Sequence, residues 1–143
     1  MENSELIKQL LITMLSISGR KTTPSHAAYI VESTIQTLTD QYSFLNDVGI
    51  QDTTFIEEGD QVTVMTNVND ISKNEFGSAL KDILYGITEN LGKDAGHFFY
   101  KEISQKLDEE SISTMKDYGV DLGLMQLEQT VSKMEHTLSL IHI

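Results

Sequence analysis

Two runs decide the fold class: Ile50-Gln51-Asp52-Thr53-Thr54-Phe55-Ile56 and Val62-Thr63-Val64-Met65-Thr66-Asn67-Val68. Both are rich in Thr, Val and Ile, whose branched side chains suit a pleated surface. They also alternate, so that Val62 and Val64 share one face and Thr63 and Met65 the other. Glu57-Glu58-Gly59-Asp60 joins them, with Gly59 placed for a left-handed turn residue. The stretch 49–68 therefore reads as a β-hairpin. No other strand pair is evident, and helical periodicity surrounds this one. The fold class is α+β: a mostly helical single domain over 1–143, with five or six helices and one central antiparallel β-hairpin.

An N-terminal helical hairpin is expected over 4–45. Leu6, Ile7, Leu10, Leu11, Met14, Leu15 and Ile17 form a broad amphipathic face, with Asn3 or Ser4 available as a cap and Gly19 near the end. Thr23 then suits an N-cap, and Pro24 suits the first helical position, where a missing N–H costs nothing. The second helix carries Ala27, Ala28, Ile30, Val31, Ile35, Leu38 and Tyr42.

Helices resume over 72–143. Ser72 and Glu75 have capping-box spacing, and Phe76, Ala79, Leu80, Ile83, Leu84, Ile87 and Leu91 follow as a buried side. A break at Gly92 is favoured, after which Ala95, Phe98, Phe99, Ile103 and Leu107 keep the helical period. Asp108-Glu109-Glu110 places negative charge where a helix N-terminus favours it. A short helix should end near Gly119, and the last should run from about Asp121. No repeat or low-complexity tract divides the chain.

The charge excludes several functions. Asp and Glu number 22 against 10 Lys and Arg, a formal net charge of -12, and Arg20 is the single arginine. Phosphate backbones and anionic lipids are bound by cations, so neither nucleic acid nor a membrane surface is an expected partner. There is no cysteine, which removes disulfides, thiolate metal sites and cysteine catalysis together. No run approaches the roughly 20 apolar residues of a membrane span. The apolar run Leu10 to Leu15 follows Glu2 and Glu5, the wrong charge for a signal peptide, so the expected location is the cytoplasm.

The sharpest pattern lies near the C-terminus. Leu124, Leu127, Val131, Met134, Leu138 and Ile141 recur at alternating steps of three and four, the a/d spacing of a heptad. Such a narrow stripe is built to lie against another helix, either within the domain or in a second molecule. Glu128, Thr130, Glu135 and Thr137 flank it and offer no opposite-charge pairs between identical parallel helices. Leu122, Met125 and Leu140 lie off the stripe and argue for core packing. The hairpin adds an independent argument for association, because a two-stranded ribbon has open edges that a second copy can pair with. The alternative is a ribbon lying on the helices. Taken together, these features favour a homodimer.

A second candidate site is Leu91-Gly92-Lys93-Asp94-Ala95-Gly96-His97-Phe98-Phe99-Tyr100. Aromatic walls with a few polar groups are the normal form of a small-ligand pocket, here Gly92, Gly96, His97, Phe98 and Tyr100. The same residues equally suit a packing notch beside core aromatics. The spacing is not that of a phosphate-binding P-loop. His26, His97, His136 and His142 show no i, i+3 or i+4 pairing, so no metal is expected, and no cofactor. Arg20-Lys21 before the second helix is the one local basic spot, either an anion site or a solvated turn. No nucleophile, acid or base motif stands out. The expected function is a non-catalytic interaction or regulatory module acting as a homodimer or on a protein partner. The alternative is a small-molecule-sensing domain with a partly apolar pocket near His97.

Overall fold

A computed structural model describes residues 1–52, 60–96 and 98–141, with side chains for all of these except 93–96 and 132–141. The elements run α1 (Asn3–Lys21), α2 (Pro24–Leu38), β1 (Val48–Ile50), β2 (Val62–Val64), α3 (Lys73–Gly96), α4 (Phe99–Lys106), α5 (Glu109–Asp117) and α6 (Leu122–Ile141). Single 3-10 turns over Ser43–Asp47 and Thr66–Asp70 flank the strands. The described residues form a mostly helical α+β arrangement of six helices and one antiparallel hairpin. No helix among the described residues is long and apolar enough to cross a membrane.

The centre of the fold is α1. Leu6, Ile7, Leu10, Leu11, Met14 and Ile17 have no exposed surface, and α2, α3, α4, α5 and β2 all pack on this helix. Seven apolar residues spread over a wide arc leave it only a narrow solvent face, at Glu5, Gln9, Ser16 and Arg20. Its start is held by distant groups rather than by its own cap. Asn69 Oδ1 accepts from the Ser4 backbone N–H at 2.8 Å, supplying one of the orphan donors of the first turn. Asn3, expected as a cap, instead reaches across the molecule. Its amide donates to Val68 O at 3.1 Å and Ile71 O at 3.0 Å, and its Oδ1 accepts from the Tyr118 hydroxyl at 2.6 Å. Buried at the meeting of three segments, that amide ties α1 to the end of the 3-10 turn, sharing Val68 O with the Ile71 backbone N–H.

Local signals fix most other boundaries. Thr23 Oγ1 accepts from His26 N–H at 3.1 Å with Pro24 at the first helical position, and Ser72 Oγ accepts from Glu75 N–H at 3.3 Å. Asp108 caps α5 through Ser111 N–H at 2.7 Å. That helix ends in a Schellman motif, with Val120 N–H on Met115 O at 2.8 Å, Gly119 N–H on Lys116 O at 3.0 Å, and Gly119 at φ 86°. Tyr42 lies beyond α2, not on it. The chain turns after Leu38, and the Tyr42 hydroxyl donates to Asp82 Oδ2 of α3 at 2.6 Å.

The hairpin is shorter than the 49–68 expected. Val48, Gly49 and Ile50 pair with Val64, Thr63 and Val62, and Gln51 N–H reaches Gln61 O at 2.8 Å. Val48 and Val62 are buried, and the ribbon lies on α1 and α2. Pairing ends at Val64 because the next stretch is rich in turn formers. Asn67 donates to Asp47 Oδ2 at 2.7 Å, and Asn69 serves α1, so 66–70 winds as a 3-10 turn instead of extending as strand. The expected connection Glu57 to Gly59, and Thr53 to Ile56 of the first run, lie outside the described residues.

Candidate functional site

The last helix presents two different faces. Asp121 Oδ1 accepts from Leu124 N–H at 3.1 Å and opens α6 directly after the Gly119 turn. Leu122 and Met125 point inward, only 4% and 2% exposed, and α6 packs on α4. Leu124, Leu127 and Val131 are exposed by 51%, 57% and 44%. The cause is angular. At about 100° per residue those three fall within about 60° of one another, with Leu122 roughly opposite them and Met125 about 100–160° away. Of the two apolar sets on this helix, the one off the heptad stripe makes the core, and the upper half of the stripe faces water. Met134, Leu138 and Ile141 continue the spacing, but their side chains lie outside those described.

Between α3, α4 and α6 lies a cleft of about 620 Å³ lined by Tyr85, Thr88, Glu89, Gly92, Tyr100, Met125, Glu128 and Gln129. From α3, the residues at positions 85, 88, 89 and 92 share one helical face. From α6 come 125, 128 and 129. Tyr100 is buried at the base, and the Tyr85 hydroxyl bridges the opening to Glu128 Oε2 at 3.4 Å. Burial raises the Tyr100 hydroxyl above the usual phenol range, with a hydrogen bond to Thr88 acting in the opposite direction. Tyr85 is raised by burial first and then by the Glu128 carboxylate. Both rings are therefore neutral aromatic walls at ordinary pH.

Gly92 marks one end of the cleft. It stands at φ 81°, ψ 176° inside α3, a combination that is essentially glycine's alone, and it breaks the helix there. No atom lies within 4 Å of where a Cβ would sit, so this end is open.

Of the pocket residues expected from sequence, Gly92 and Tyr100 line this cleft. Phe98 does not. It is half-exposed, stands at φ 62° and carries Lys101 Nζ at 5.7 Å over its ring. His97 lies outside the described residues, as does the side-chain environment of Gly96. Tyr85, Thr88, Glu89, Met125, Glu128 and Gln129 were not signalled by the sequence, since their meeting depends on how α3 and α6 cross. The basic spot resolves as an ion-paired turn. Lys21 Nζ lies 2.8 Å and Arg20 3.8 Å from the Glu102 carboxylate of α4. Among the described residues no cluster of three His, Asp or Glu is placed to hold a metal ion.

No protein-family model, curated protein or solved structure matches this chain.

Proposed function

We propose that the protein is a small cytoplasmic interaction module, without chemistry of its own, that pairs with a second copy through the outer stripe of α6. The observation that carries this reading is the exposure of Leu124, Leu127 and Val131 in one row on a helix whose core contacts are already made by Leu122 and Met125. Scattered apolar residues on a surface need no explanation, but a row at a/d spacing is the geometry of helix pairing. Under a two-fold axis one such stripe meets its own copy, so a single surface serves both partners.

Charge opposes the pairing and supplies a second handle. Each copy carries a formal charge of -12, and Glu128 flanks the stripe. Screening relieves this repulsion, since the Debye length falls from about 10 Å at 0.1 M salt to about 3 Å at 1 M. The dimer should therefore tighten with added salt. Light scattering during size-exclusion chromatography tests the reading. A mass twice the 16.0 kDa chain, held over a tenfold dilution and more firmly at high salt, supports it. A monomer at every concentration and salt overturns it.

A further inference from the structure

The flanks of the α6 stripe bear on the direction in which two paired helices run. With Leu124 at heptad position a and Leu127 at d, the two rims of the stripe are the e and g positions. The e positions are Asp121, Glu128 and Glu135, and the g positions are Gly123, Thr130 and Thr137. All the acid therefore lies along one rim, and the other rim is uncharged. Gly123, Glu128 and Thr130 are exposed beside the stripe, with the Glu128 carboxylate accepting from the Tyr85 hydroxyl of α3 at 3.4 Å.

Two copies of such a helix meet differently in the two directions. Between parallel helices an e position faces a g position of the other copy. Glu128 then lies beside Gly123, and Glu135 beside Thr130, with no like charges opposed. Between antiparallel helices e faces e. With residue 124 level with residue 141 of the other copy, Glu128 meets Glu135 at both ends. Sliding by one heptad sets Glu128 against Glu128, or Glu135 against Glu135. Opposed like charges are the device that selects one arrangement of helices over another. The rest of the domain leaves the parallel arrangement open. Leu122 and Met125 carry the contacts with α4 on the inner side of the helix, so the two domain bodies fall on opposite sides of the seam.

We propose that two copies pair through α6 in parallel and in register, Leu124 on Leu124, Leu127 on Leu127 and Val131 on Val131. This orientation rests on the self-pairing proposed above. It sets the two-fold axis along α6, so both domain bodies sit at the same end of the seam. A partner then meets two identical surfaces side by side, facing one way.

The test uses the full chain, which has no cysteine, so an introduced thiol is the only one. Leu124→Cys is mildly oxidised at a concentration where the wild type pairs. In the parallel pair the two thiols share one layer, and a disulfide-linked dimer forms. In the antiparallel registers residue 124 lies level with residue 134 or 141, which sets the two 124 positions at least about 15 Å apart. Cα atoms more than about 7 Å apart cannot be bridged. Gln105→Cys, exposed on α4, controls for random collision. Thr130→Lys asks the same question without a thiol. It faces Glu135 only in the parallel pair, where it should tighten the dimer roughly threefold. Its reference is Thr37→Lys, which changes the charge equally at an exposed site on α2. Linkage of Leu124→Cys above the control, together with tightening by Thr130→Lys, supports the orientation. Linkage only on mixing Leu124→Cys with Met134→Cys or Ile141→Cys, or no tightening by Thr130→Lys, overturns it and leaves self-pairing intact. A dimer by mass with no linkage of any kind puts the seam elsewhere and overturns it too. A wild type that is monomeric at every concentration and salt removes the pairing itself, and the orientation with it.

Discussion

Leu124 and Met125 are neighbours in the chain and face opposite environments: Leu124 is 51% exposed, whereas Met125 is 2% exposed and closes the base of the cleft. A single helix thus separates a structural duty from a surface one within one peptide bond. The separation can be tested, because substitutions on the two faces must fail in different ways.

Met125→Ala should lower stability by about 2–5 kcal/mol, as truncation of a buried side chain does. Leu127→Glu should change monomer stability by less than about 0.5 kcal/mol, as at an exposed site, while abolishing self-association. Urea unfolding, at a concentration where both variants are monomers, reads the first effect, and solution mass reads the second. Equal destabilisation by the two variants would place the stripe in the core.

Gly77 lies on α3 where that helix meets the turn between α5 and α6. A Cβ there would run into the carbonyl oxygen of Tyr118, a backbone atom that cannot rotate aside. Gly77→Ala is expected to cost about 1–3 kcal/mol, the range for overpacking a close contact. Gly123→Ala serves as the control, since its nearest neighbour is Asp121 Oδ1 at 3.4 Å, and it should not destabilise. Comparison of urea midpoints decides the matter.

Tyr42 sets a limit at alkaline pH. Burial, reinforced by the hydrogen bond to Asp82 and by its charge, pushes its hydroxyl up to about 12. An unfolded tyrosine releases its proton near pH ~10. Between these values the folded state holds a proton that the unfolded state has lost, so stability falls as pH rises. The contribution is fully present below about pH 10 and disappears as pH passes through the folded value. Tyr42→Phe should cost about 1 kcal/mol at neutral pH, for the lost hydrogen bond, and should flatten part of the alkaline decline. Urea midpoints measured on both proteins from neutral pH into the alkaline range would show it.

The sequence exposed those parts of the fold that are encoded locally. Thr23-Pro24, Ser72, Asp108 and Gly119 sit at helix ends because their chemistry suits those ends, and each does so here. Gly92 announced a break for the same reason. The 3-10 turn over 66–70 was hidden because Val62 to Val68 alternates like a strand, while the Asn67 and Asn69 side chains find partners on Asp47 and Ser4 that only tertiary structure supplies. Heptad spacing placed Leu124, Leu127 and Val131 on one line, but spacing does not say which side of a helix the core lies on. That was decided by Leu122 and Met125, which fit against α4. The cleft was legible only at Gly92 and Tyr100. Tyr85 and Glu128 stand 43 residues apart, and nothing in either neighbourhood predicts that they meet.

The burial of α1 beneath α2, α3, α4, α5 and β2 has a temporal consequence. A helix with so wide an apolar face has nothing stable to rest it on until its neighbours exist. Asn3 waits for Tyr118, 115 residues later in the same chain. At typical synthesis rates of 5–20 residues per second that interval is roughly 6–23 s. Throughout it the apolar face of α1 is already made and not yet fully covered, so the newborn chain depends on prompt shielding long after that helix has been written.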